Sequence, residues 1–514
     1  RFKVKTKFDY FSVYLPAKTA IWAGVVGIVL VSNMGLNAYA ADEAPDMSPD
    51  VRPVGTDLNL FRADPSYDSS IYNSDDQIKI YGGKRGMDEP RPILELGRPI
   101  YQEGPFKPGI NVVGSKNLLY PGLSIYGDLR TAVAFNDAGA AENGLIATRL
   151  NVDVDLKLTA TERIHAQLRP LDQGGTFSKF EFFGDDRQQG DLRLDLNLES
   201  LFFEGDVGAI AAGFTDTYNG LDLPFSVGLM PLLYQNGIWM DDAITGGAFA
   251  LSAMSNKTLD ISNMDFSFFA GFDKVTTPAI VDDQNALADH SVHVYGVATF
   301  IEANNGYWEA GIGRINGQDG FDELSYTSAT VAFTKRYGGI ISNSLRAIYT
   351  FDQDRDNNAQ QTADGWMLLA ENSLITSLPS TFVPYANFWV GFDRPQPLAD
   401  ATGLLKNTGI TFETNGLTGL PKLDDTGHDT FGGAIGVEYL FNLDQQVVAE
   451  ISSVQIMGDA NNVGRAAVDD QYGFGLRYQL PISPSWIFRT DAMYGIRTSE
   501  DDVAGVSAEL RVKF

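Results

Sequence analysis

From residue 122 to the C-terminus, apolar and polar residues alternate with a period of two. Val152, Val154, Leu156 and Leu158 alternate with Asp153, Asp155 and Lys157. Tyr472, Phe474, Leu476, Tyr478 and Leu480 alternate with Gly473, Gly475, Arg477 and Gln479. Trp486, Phe488, Thr490, Ala492 and Tyr494 interleave with Arg489, Asp491 and Met493. Such a period puts one apolar and one polar face on each strand. The strands exceed the roughly five or six residues usual in globular sheets. They suit a tilted membrane strand of about 9–11 residues and its rims. Eighteen segments carry the pattern: 122–135, 144–158, 162–170, 190–204, 206–214, 237–254, 262–274, 289–302, 306–315, 322–337, 340–353, 363–376, 379–393, 427–442, 444–456, 469–480, 484–497 and 501–514.

The links between these segments alternate in length. Short ones fall at 159–161, 205, 303–305, 338–339, 377–378, 443 and 481–483. Longer ones fall at 171–189, 215–236, 275–288, 394–426 and 457–468. Short turns on one side and long loops on the other are the habit of bacterial outer-membrane barrels. Lipid offers no partner to the polar edge of a sheet, so such a sheet must close on itself. The expected fold is all-β: a transmembrane, antiparallel, up-and-down barrel of about 18 strands over 118–514, after an irregular N-terminal segment.

Arg1, Lys3, Lys5, Lys7 and Lys18 precede a short apolar run, Ile21 to Val31, and Ala38-Tyr39-Ala40 follows. This is the pattern of a secretory signal peptide over 1–40, cleaved near Ala40. The run is too short to span a bilayer, which takes about 20 apolar residues. Residues 41–117 hold no period, and stretches such as Glu89-Pro90-Arg91-Pro92 mark them as a periplasmic tail, a pore plug or a disordered linker. The absence of cysteine excludes disulfides, thiolate metal sites and a cysteine nucleophile. A formal net charge of −28 disfavours nucleic acid as a partner.

In the last segment Ala504, Val506, Ala508, Leu510, Val512 and Phe514 share one face, and Gly505, Ser507, Glu509, Arg511 and Lys513 the other. This strand resembles the C-terminal signal of Gram-negative outer-membrane barrels of the porin type. The resemblance implies an outer-membrane location among lipid and lipopolysaccharide, and recognition of Phe514 by the barrel assembly machinery. A homotrimer is one compatible assembly. A fainter similarity, in Ala147-Thr148-Arg149-Leu150-Asn151-Val152-Asp153 and Leu158-Thr159-Ala160-Thr161-Glu162-Arg163, is to alginate-export-type barrels. That likeness implies 18 strands and an arginine-rich lumen.

Alternation also assigns faces. Asp128, Arg130, Arg149, Asp153, Asp155, Lys157, His165, Arg169, Arg193, Asp195 and Glu199 should face the lumen. From the other end Glu438, Glu450, Arg477, Arg489, Asp491, Glu509 and Arg511 should join them. Closure makes strands 16, 17, 18, 1, 2, 3 and 4 one wall with an inward arginine on each. Guanidinium groups stay charged and offer forked donors to anions. The alternative is a salt-bridge ladder, with Asp195 beside Arg193 and Asp491 beside Arg489, because charged residues face inward in any such barrel. The apolar link 215–236 is expected to fold inward as a constriction loop carrying Asp216, Asp222 and Phe225, or to pack against a neighbouring subunit.

An enzyme finds little support. His290 and His293 point to opposite faces of a strand, and no Gly-x-Ser-x-Gly elbow occurs. The acidic stretches at Asp352–Asp356 and Asp424-Asp425 suit a divalent cation or simply a solvated loop. No cofactor or metal is expected. The leading reading is a channel for small hydrophilic solutes with an arginine-lined anion path. The alternatives are a dedicated channel for an anionic polysaccharide or oligosaccharide, and a structural or adhesive barrel.

Overall fold

The computed structural model describes residues 90–98, 100, 109–184, 187, 189–282, 284–355, 361–413, 416–441, 445–458 and 465–514. The signal-peptide region and most of 41–117 lie outside them. Eighteen antiparallel staves form the wall. They are β1 (Gly122–Asp137), β2 (Glu142–Lys157), β3 (Arg163–Leu168, resumed at Thr176–Gly184) and β4 (Gln189–Asp191, resumed at Leu198–Asp206). Then come β5 (Pro224–Tyr234), β6 (Met240–Asn256), β7 (Ile261–Asp273), β8 (Val292–Ala303), β9 (Gly306–Gly317) and β10 (Tyr326–Tyr337). The rest are β11 (Ile341–Phe351), β12 (Asp364–Leu374), β13 (Phe382–Arg394), β14 (Thr430–Phe441), β15 (Gln445–Ile456), β16 (Gln471–Pro481), β17 (Trp486–Arg497) and β18 (Val503–Lys513). Each pairs with the next, and β18 pairs with β1 from Asp128–Lys513 to Asp137–Ala504, so the barrel is closed.

Three expected elements differ. The stretch 206–214, read as a strand, is the helix α1 (Val207–Thr215). Asp206 caps it, accepting from the Ala209 N–H at 2.6 Å, and Asp216 ends it in the left-handed region at φ 54°. A short apolar run does not by itself separate strand from helix. The link 215–236, read as an inward loop, is mostly the fifth stave, Pro224–Tyr234. Its prolines and glycines hid a strand paired along its length with β6. The expected loop 171–189 likewise holds the second half of β3, which pairs with β2 from Asn143–Gly184 to Thr148–Ser178.

Outward side chains form an apolar belt: Leu129, Val133, Ile435, Ile451, Phe474 and Leu476 are all exposed. Aromatics concentrate at both ends of it. Tyr307, Tyr337, Phe382, Tyr439 and Trp486 mark the short-turn rim, and Phe272, Tyr295, Tyr349, Trp366 and Tyr494 the long-loop rim. An apolar band between two aromatic girdles is the exterior of a barrel immersed in lipid.

The C-terminus completes the wall. The Phe514 N–H donates to the Gly127 carbonyl at 3.0 Å, and the Gly127 N–H to the Phe514 carbonyl at 2.8 Å. Directly below, the short strand Leu94–Gly97 continues the same edge of β1, from Ile125 to Gly122. Deleting Phe514 removes both hydrogen bonds at the closing edge, where lipid supplies no substitute. Folded, heat-modifiable protein in the outer-membrane fraction is expected to fall severalfold. An unchanged yield would show that the terminal residue carries no assembly signal.

Candidate functional site

The long-loop connection after β13, residues 395–429, enters the barrel instead of standing above it. Its backbone is clipped to the wall in sequence. Leu398 N–H donates to the Trp239 carbonyl at 2.7 Å, Asp241 N–H to Ala399 at 2.9 Å, and Asp400 N–H to Thr276 at 3.0 Å. Lys406 Nζ bridges Asp241, at 2.8 Å, and Asp400. Burial pushes the Asp400 carboxyl up to about 6, against the pull of Lys406. Further on, Glu450 of β15 accepts from the Ile410 and Thr411 N–H groups at 3.0 and 2.9 Å, from the Thr411 hydroxyl at 2.8 Å and from the Tyr385 hydroxyl. One buried carboxylate thus satisfies two loop amides that would otherwise be left without partners.

Inward glycines make room for this loop. A Cβ on Gly313 would lie 2.4 Å from the Leu398 side chain, and one on Gly311 2.6 Å from the Trp239 ring. On β16 to β18, Gly475 lies beneath Ile410, Gly473 and Gly495 beneath Leu423, and Gly505 beneath Leu420 and Pro421. The loop then buries apolar side chains inside the barrel: Leu398 with Trp239 and Tyr326, and Leu405, Phe412 and Leu423 with Met367, Trp389 and Val454. The inward face of β5 to β13 is therefore largely apolar where alternation alone expects a polar one. Most of the expected constriction loop 215–236 is the stave β5, and the segment packed inside the barrel is 395–429. The missed signal is the run of inward glycines at alternate positions of neighbouring strands.

Beside this plug stands the charged wall. Arg511 of β18, Arg130 of β1 and Arg149 of β2 are register partners in one row. Like charges directly opposite repel, and the row holds because other groups interleave. Asp128 receives Arg130 at 2.7 Å, Arg511 at 3.0 Å and the Asn151 amide at 2.9 Å. Arg149 donates to Asn151 at 2.9 Å and lies over the Phe177 ring, 5.3 Å from its centroid. Phe177 belongs to a small hairpin, Asp172-Gln173 with Thr176-Phe177, that interrupts β3. Arg169 reaches Glu199 at 3.0 Å and Asp172 at 4.0 Å.

The plug touches this wall. Glu413 lies 2.5 Å from Arg477 and 3.3 Å from Arg489, which also share Asp491 at 2.5 and 2.6 Å. The Asn136 amide donates to the Thr418 carbonyl at 2.7 Å. Sequence pattern alone did not single out Glu413, since nothing local shows that a loop carboxylate returns to strands 16 and 17.

The remaining expected residues separate. Arg193 pairs with Asp191 at 2.6 Å, not with Asp195, whose carboxylate accepts from Asn197 N–H and Nδ2, both at 2.8 Å. The segment 192–197 is not a strand, and Arg193 turns back to Asp191. Asp153 and Asp155 flank His165 at 3.5 and 3.2 Å, and Asp155 also accepts from the Tyr126 hydroxyl at 2.8 Å. Asp216 accepts from Ser115 N–H and Oγ at 2.7 and 2.5 Å. Asp222 follows α1 at the short-turn rim, and Phe225 is on β5 with its ring 5.8 Å from Phe203. None of these three lies on an inward loop. Among the described residues no group of His, Asp and Glu is arranged to hold a metal ion.

In overall shape the chain resembles several crystal structures. OccK9 (OpdG) of Pseudomonas aeruginosa is 12% identical with a TM-score of 0.49, over 76% of this chain and 98% of that one. OccAB4 of Acinetobacter baumannii is 10% identical with a TM-score of 0.49, over 76% and 97%. OccK5 (OpdH) of Pseudomonas aeruginosa is 10% identical with a TM-score of 0.46, over 76% and 98%. At TM-scores below 0.5 the likeness goes no further than shape. No protein-family model matches the chain, and no curated protein matches it in sequence.

Proposed function

We propose that this chain is an outer-membrane channel for small hydrophilic solutes, with an anion-favouring path along the arginine wall. The carrying observation is the closed 18-stave barrel entered by a loop that reaches this wall through Glu413 on Arg477. Barrels of 16–18 strands are wide enough for an aqueous channel, and a loop that fills the barrel round to β16–β18 narrows the path to the side of β1–β3. The guanidinium groups of Arg130, Arg149, Arg169 and Arg511 give the path a positive potential, focused by the low-dielectric plug beside it. Asp128, Asp172 and Glu199 oppose it at close range, so the preference for anions is modest.

The test is a reversal potential across a salt gradient in a planar bilayer. Replacing Arg130, Arg149 and Arg169 together with Ser is expected to shift it toward cations, with the barrel still folded, since lumen substitutions tune selectivity. An unchanged potential in an open channel would reduce the wall to a salt-bridge scaffold.

A further inference from the structure

The wall is not uniformly stitched. Between β4 and β5 the ladder runs from Asp206–Pro224 to Leu201–Leu229 and stops. Above it β5 continues to Tyr234, paired only with β6, while the chain of β4 leaves strand geometry at 192–197. Other neighbouring staves stay paired over most of their length. Two local features end the ladder. Gly228 takes φ 128°, and Pro231 has no N–H to give to a neighbour. On the far side the segment is held to β3 by polar contacts. Ser178 Oγ donates to the Arg193 carbonyl at 2.9 Å and accepts from its N–H at 3.0 Å, and Asp195 N–H donates to Pro170 at 3.3 Å. The ladder to β3 is interrupted here too, between Leu168–Leu198 and Lys179–Asp191, but these contacts bridge it.

The two faces of that gap differ in kind. Leu192, Leu194 and Leu196 point outward at 71%, 65% and 75% exposure, and Leu233 on the facing edge at 56%. Outward leucines on paired staves reach 53%, at Leu345 and Leu476, so the three leucines of 192–196 stand above them while Leu233 is ordinary for the wall. The alternate residues Arg193 and Asp195 are less exposed, and Arg193 reaches Gln173 of the hairpin whose Phe177 lies against Arg149 in the lumen. Open strand edges facing lipid carry unmet backbone groups at a cost of several kcal/mol each. The wall keeps this gap nonetheless.

We propose that the gap between β4 and β5 is a lateral portal through which a single-chain amphiphile with a charged head passes between lumen and bilayer. The head keeps to the polar inner rim at Arg193 and Asp195. The chain leaves over Leu192, Leu194, Leu196 and Leu233. A lumen-only hydrophilic solute has no use for such a rim, and a lipid confined to the bilayer has none for the charged side. The inference rests on the channel reading, because the portal needs an aqueous lumen to open into.

The chain has no cysteine, so a pair can be introduced cleanly. Leu196→Cys and Leu233→Cys face outward on the two edges and can be tied with a short bifunctional thiol linker in intact cells lacking their own long-chain uptake proteins. Uptake of dodecanoate and of arabinose is then compared with and without the linker. The expected result is loss of dodecanoate uptake to the level of cells without the chain, with arabinose entry unchanged. Equal dodecanoate uptake in tied and untied protein would overturn the portal. So would untied protein that takes up no more dodecanoate than cells lacking it, or a linker that cannot bridge the two edges. Arabinose entry no faster than in cells without the chain would instead remove the channel reading.

Discussion

Glu413→Gln is expected to make the pore markedly more anion-selective. Glu413 is the one loop carboxylate placed on both Arg477 and Arg489, with Asp491 as their other acidic neighbour. Two unit charges about 4 Å apart interact by about 4 kcal/mol at an effective dielectric constant of ~20. A passing ion feels only a fraction of that, yet ~0.8 kcal/mol is already roughly a fourfold change in partition. The substitution keeps the side chain's shape and one donor-acceptor end, so the loop should stay in place. Proton concentration offers a second reading of the same group. Burial, with Asp491 and Glu450 nearby, raises the Glu413 carboxyl above the usual range against the pull of Arg477. A raised carboxyl loses its charge earlier as pH falls. Anion preference of the native channel should therefore rise on acidification and approach that of Glu413→Gln, which should vary less over the same interval. The measurement is reversal potential at several pH values, and identical curves for the two proteins would exclude the role given to Glu413.

Replacing residues 401–423 by a short glycine-serine link is expected to raise single-channel conductance roughly two- to fourfold, because an 18-stranded wall without its plug leaves a porin-sized lumen. The loop is held by the Glu450 clip, by Lys406 and by burial of Leu404, Leu405, Phe412 and Leu423. Each fully buried side chain of this size contributes about 1.5–3 kcal/mol. The loop is thus a fixed part of the native pore. A gentler variant separates position from presence. Gly475→Leu would drive a side chain into Ile410, since even a Cβ there comes within 2.7 Å. Overpacking of this kind costs about 1–3 kcal/mol, less than the loop's burial contributes. The loop should shift without leaving, giving noisy conductance of intermediate size. Equal conductance in native and deleted channels would show that the loop does not restrict the path.

Period-two alternation made strand number, closure and the lipid face legible, because lipid leaves a sheet one way to satisfy its edges. It failed where another force set the local structure. The Val-Gly-Ala-Ile-Ala-Ala-Gly-Phe-Thr run of α1 has no strand partner within reach, and Asp206 was the available helix-start signal. Pro224, Gly228 and Pro231 disguised β5, whose prolines are tolerated beside a wall discontinuity. The arginine row was legible because guanidinium groups have no place in lipid. Its counter-charges were not, since Glu413 is 64 residues from Arg477 in sequence and reaches it only through the returning loop.

The row Arg511–Arg130–Arg149 straddles the joint between the last strand and the first, and Asp128 of β1 serves an arginine from each side of it. On the channel reading proposed above, the permeation surface consequently does not exist in any partly inserted intermediate. While the first and last strands are apart, the charges that would sort ions stand on two separate margins, and no sealed conduit runs between them. A cell building this protein is thereby spared a half-made leak. On that reading selectivity and watertightness arrive in the same event, when Lys513 and Phe514 settle against Asp128 and Gly127.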